Sequence, residues 1–186
     1  MENTKKTDNI ISRHVIYAMT AGAIPVPVAD IVAVSAIQYD MIKQIAEMYK
    51  AKYDSEKGKA LASSLAGATA SRISASFIKA IPGVGTFLGI GSQMLMAGAT
   101  TYALGRIFDS HFSGNKNLDS FNVEAVKKQY REFLEKGKEY AKEIKKNFSR
   151  DDVFDTIEKL NQLKSTGAIS EEEFRSTKEK LLNKII

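Results

Sequence analysis

Between Lys79 and Arg106 the chain carries 26 residues without a single charge, a length that only a buried helix or a bilayer readily accepts. Six of them are glycines, at Gly83, Gly85, Gly89, Gly91, Gly98 and Gly105. Glycine inside a helix loses backbone entropy, so a glycine-rich helix is favoured only where another backbone must come close. The seven-residue spacing of Gly91, Gly98 and Gly105 puts them on nearly one helical face, and Gly85 and Gly89 add a one-turn pair. These five glycines are the expected helix-packing seam.

Two Ile-Pro steps punctuate the apolar half. Pro25 and Pro27 make a stiff connector after a helix that begins near Asp8 or Asn9, leaving residues 1–8 as a loose arm. A second helix over 28–53 carries Ile31, Val34, Ile37, Met41, Ile45 and Met48 at helical spacing. Asp30 in its first turn suits the positive helix end, or is a buried carboxylate that meets a partner or ion. A third helix starts at Asp54 or Ser55, is crowded with Ala, Ser, Thr and Gly, and stops at Pro82 and Gly83. The glycine-rich stretch follows as the fourth helix. No period-two, β-branched run occurs, so the expectation is all-α: two Ile-Pro hairpins packed as a four-helix bundle over 9–112.

A polar loop at 113–117 leads to a fifth, amphipathic helix over 120–147, with Val126, Tyr130, Phe133, Leu134, Tyr140, Ala141 and Ile144 on one side. That side packs on the bundle, or meets a membrane surface or a partner groove. Residues 113–150 hold ten Lys/Arg against six Asp/Glu, whereas 151–186 hold six against eight. Lys142, Lys145, Lys146 and Arg150 are therefore the candidate contacts for an anionic surface. Nucleic acid is not expected, because the cations alternate with Glu and no nucleic-acid motif accompanies them.

From Asp151 the chain spells out a helical hairpin. Ile157, Leu160 and Leu163 form a stripe, Gly167 is a helix stop, and Ser170 to Glu173 is a capping box. Ile169 and Phe174 make a hydrophobic staple, with Leu181 and Leu182 completing the apolar face. So small a unit buries little alone and should dock on a second copy or another domain, which makes these seven residues the expected partner or oligomer face.

This tail resembles the short C-terminal domain called SHOCT. The resemblance implies an appendage for oligomerisation or domain contacts. Residues 12–112, through Ile24 to Ile31, Ala36-Ile37-Gln38, Ile81 to Gly85 and Thr101 to Gly105, resemble the bacterial helical domain of unknown function found in YcjF-type membrane proteins and beside some small GTPase-like proteins. That resemblance implies a module associated with the inner membrane on its cytoplasmic side, and any GTPase would be a separate partner.

Chemistry is hard to find in the chain. Gly83-Val84-Gly85 opens like a dinucleotide fingerprint, but Leu88 stands in its sixth place, and no phosphate-binding loop occurs. Cysteine is absent, and His14 and His111 are the only histidines. No Ser lies in a Gly-x-Ser-x-Gly elbow. The Val15 to Met19 run is shorter than the apolar core of a secretory signal. The expectation is a non-enzymatic, membrane-associated protein with no cofactor and no metal that self-associates or docks a partner protein; a soluble helical interaction or assembly protein is the alternative.

Overall fold

Prolines, glycines and capping residues cut the chain into helices, and the computed structural model describes residues 2–22, 29–78, 89–147 and 149–183. Among them lie seven α-helices: α1 (Glu2–Gly22), α2 (Ala29–Met48), α3 (Ser55–Ile78), α4 (Gly89–Ser113), α5 (Val123–Lys146), α6 (Arg150–Ser165) and α7 (Glu171–Leu182). One 3-10 turn, Leu118–Ser120, precedes α5, and no described residue is in a strand. The fold is all-α, as expected. Pro25, Pro27, Pro82, Gly83 and Gly85 lie outside the described residues.

The expected loose arm is instead the first two turns of α1. Thr7 is fully buried, and Asp8 pairs with Arg106 of α4. A polar stretch becomes helix here with Asp8 finding its partner on α4. Helix α2 stops five residues short of the expected Tyr53. Lys50 takes a left-handed conformation (φ 53°), and the Ala51 N–H donates to the Ala46 carbonyl at 2.9 Å. Glycine usually closes a helix this way, so a lysine gave no warning in the sequence.

Helix α4 is the hub, touching α1, α2, α3 and α5. Its partnership with α1 is antiparallel: Ala97 meets Gly22, Gly98 meets Met19, Gly105 meets Ile11, and Arg106 meets Asp8. A β-carbon on Gly98 would stand 2.6 Å from Met19 Cγ, and one on Gly105 would stand 2.8 Å from Ile11 Cγ1. Gly89 and Gly91 open α4, and their surroundings lie outside the described residues.

Helices α1, α2 and α4 are joined by α5, which packs on α4 more extensively than α3 does. Tyr130, Leu134, Gly137 and Ala141 turn the whole inner side of α5 onto the core. Helix α3 contributes Ala62 and Leu65 among its described side chains. The amphipathic face of α5 is thus occupied within the chain.

The hairpin follows its punctuation closely. Ser149 caps α6 in a reciprocal box with Asp152, and Ser170 caps α7 in the same way with Glu173. Gly167 sits at φ 73°, and the Ala168 N–H reaches back to the Leu163 carbonyl at 2.9 Å. This is the glycine stop expected between the two helices.

The candidate site at the hairpin seam

The hairpin lies on the chain's own α1 and α2. Leu160, Leu163, Ile169, Phe174 and Leu181 are buried with Val153 against Ala18, Ala21, Ala33, Ala36 and Ile37, and Ile157 packs at the edge. Leu182 is half-buried. The expected partner or oligomer face therefore has an occupant already: it is turned inward onto the first two helices. The small body residues let the hairpin approach closely, so docking on the same chain satisfies the need of a 35-residue unit for a neighbour.

One charged cluster crosses this seam. Asp40 on α2 accepts from three donors through Oδ2: Lys159 Nζ of α6, His14 Nε2 of α1 at 2.8 Å, and Gln44 Nε2 at 2.7 Å. His14 Nδ1 lies 2.7 Å from the Ile10 carbonyl oxygen, so both ring nitrogens face acceptors. Burial alone would raise the Asp40 carboxyl, but the hydrogen bonds from His14 and Lys159 outweigh it and hold the group at about 2. Lys159 is only 9% exposed, its stem lying along the seam. The Tyr17 ring meets His14 edge-on at 5.7 Å, and burial raises its hydroxyl.

The seam is open on both sides of this cluster. On one side a polar cleft of about 310 Å³ is lined by Arg13, Tyr17, Asp155, Glu158 and Gln162. On the other a groove of about 500 Å³ runs between α2, the start of α3 and the α6–α7 turn, past Tyr39, Lys43, Tyr53, Leu163 and Ala168. Burial pushes the Tyr53 hydroxyl up to about 12.

Chemically, the His14 and Asp40 pair is a fastening. Both imidazole nitrogens are engaged, and Asp40 serves three donors. No group of three or more His, Asp or Glu among the described residues is placed to hold a metal ion. Of the basic candidates, Lys142 is paired with Glu139 at 2.7 Å. Lys145, Lys146 and Arg150 are exposed at the α5–α6 junction with no ion-pair partner among the described residues. Phe154, one turn beyond Arg150, is 54% exposed.

Sequence reading missed Asp40 and Lys159. Their signal was a charge set within an apolar stripe: Asp40 lies three residues after Ile37, and Lys159 four before Leu163. It also missed two close approaches, Gly22 on Ala97 and Gly137 on the Ala99 backbone.

A helical hub, with no strand among the described residues, and a separate hairpin fit the helical domain that the sequence resembles. The chain belongs to the family described as Domain of unknown function (DUF697), whose model matches residues 2–139. The match is wider than the 12–112 expected, taking in the first turns of α1 and most of α5, and ends before α6. The chain is similar to Magnetosome membrane protein 22 of Magnetospirillum gryphiswaldense, 36% identical over 143 residues that cover 74% of this chain and 73% of that protein. No solved structure matches the chain. No helix among the described residues is long and apolar enough to cross a membrane.

Proposed function

We propose that this protein is a non-enzymatic helical module that works at a membrane surface, on the cytoplasmic side of an inner membrane. The observation that carries this reading is its 36% identity, over nearly three quarters of both chains, to a protein named for a membrane. Contact at the surface suits the helices better than crossing, since no described helix has the length and apolarity of a span. The exposed cations Lys145, Lys146 and Arg150, beside Phe154, supply a basic and apolar edge for anionic headgroups at about 1 kcal/mol per cation. Binding of a partner protein or a second copy belongs to the α6–α7 hairpin in this reading, which requires the hairpin to leave α1 and α2.

The test is fractionation of expressing cells, with an alkaline wash of the membranes. Recovery in the membrane fraction, released by the wash, is expected for a surface-bound protein. Recovery wholly in the soluble fraction as a monodisperse species without detergent would replace this reading with that of a soluble assembly protein.

A further inference from the structure

We infer that the α6–α7 hairpin is a releasable cover that masks a membrane-contacting face of α1 and α2, with Lys159 as its fastening. This rests on the membrane reading above and adds to the basic edge at Lys145, Lys146 and Arg150 a second contact surface, exposed only on release. Three observations carry it. First, the donors to Asp40 are divided: His14 and Gln44 belong to the body, and Lys159 alone comes from the hairpin. When the hairpin leaves, Asp40 keeps two donors and Lys159 regains water, so no buried charge is stranded. A pair whose separation orphaned a buried charge would resist opening strongly.

Second, the body side of the seam is built mainly of small side chains, with Ala18, Ala21, Ala33 and Ala36 around Ile37, and each alanine buries little area. Third, open space of about 310 and 500 Å³ flanks the fastening, so water already reaches the seam from both sides. The covered strip is apolar apart from Asp40 and His14, and Arg13 and Lys43 stand at its margins, facing the cleft and the groove, with Glu47 lying 3.7 Å from Lys43 Nζ. An apolar strip with cations at its edges matches the surface of a bilayer containing anionic phospholipid.

The experiment compares the full-length wild type with Lys159→Glu and Lys159→Arg in two measurements: amide exchange of α7, and flotation with phosphatidylethanolamine–phosphatidylglycerol vesicles. Lys159→Glu sets a carboxylate against Asp40 and should speed α7 exchange about tenfold or more while α4 stays protected, which separates opening of the hairpin from loss of the fold. The same variant should raise the vesicle-bound fraction several-fold, although it removes positive charge and electrostatics alone would lower binding. Lys159→Arg keeps a donor to Asp40 and should behave as wild type in both.

Unchanged α7 exchange in Lys159→Glu would overturn the fastening. Faster exchange without a gain in flotation would overturn the masking. Wild type floating as well as Lys159→Glu would also overturn the masking and leave the membrane reading standing. If neither floats and cell fractionation recovers the wild type as soluble, the membrane reading itself falls and the masking with it.

Discussion

Gly137 of α5 rides directly on the backbone of Ala99 in α4: a β-carbon added to it would lie 2.7 Å from the Ala99 carbonyl oxygen and 3.0 Å from its α-carbon. Backbone of a buried hub helix cannot step aside as a side chain can. Gly137→Ala should therefore destabilise the protein by about 1–3 kcal/mol despite alanine's better helix propensity, seen as a lower midpoint in denaturant. Gly98→Ala meets the Met19 side chain, which can shift, with the Ala141 β-carbon at 3.1 Å, and should cost less because no backbone atom stands in the way. Equal losses at the two positions would show that the Ala99 backbone yields as readily as the Met19 side chain.

Acid unfolding should carry the mark of Asp40. Its carboxyl is held at about 2 in the folded protein against an ordinary value of 3.8, so the charged form stabilises the fold above about pH 4. That contribution is lost as pH falls from there toward 2. Asp40→Asn should remove roughly 2 kcal/mol of this pH dependence, so that the variant's stability falls less steeply than wild type over that window. Parallel acid limbs in a pH series of denaturant titrations would contradict it.

Two leucines should separate the hub from the hairpin. Leu104 is fully buried in α4, and Leu104→Ala should lower global stability by about 2–5 kcal/mol. Leu160 is equally buried, but in the seam. Leu160→Ala should accelerate amide exchange throughout α6 and α7 while leaving α4 protected.

The hairpin's two serine caps should weigh about the same. Ser149→Ala and Ser170→Ala each remove a hydroxyl that accepts from a backbone N–H and should each cost about 1 kcal/mol of stability in thermal unfolding. Ser170→Ala also removes the hydroxyl that, with the Ser170 N–H, holds the Glu173 carboxyl below its usual range. The Glu173 titration followed by NMR should move upward in that variant.

What the sequence disclosed was local. Gly167, Ser170 and Glu173 announced their turn and cap because those motifs are complete within a few residues. Packing of α5 on the bundle was one of three readings open to it, because a stripe such as Tyr130, Leu134 and Ala141 states that a face is apolar and not what it meets. For the same reason the hairpin's leucines were legible as a contact surface, while their partner on α1 and α2 was not. Asp40 and Lys159 stayed hidden because each looks like one more solvated charge until three helices converge. Lys50 shows the opposite failure, a left-handed helix end carried by a residue that does not advertise it.

The antiparallel pairing of α1 with α4 behaves like two rulers laid edge to edge. Gly98 and Gly105 are the notches on one, and Met19 and Ile11 the teeth on the other. Adding or deleting one residue between the notches would turn the far part of α4 by about 100° and move one notch away from its tooth. Length variation in this family should therefore collect in the connections between helices, with the stretch from Ala97 to Arg106 keeping a constant count.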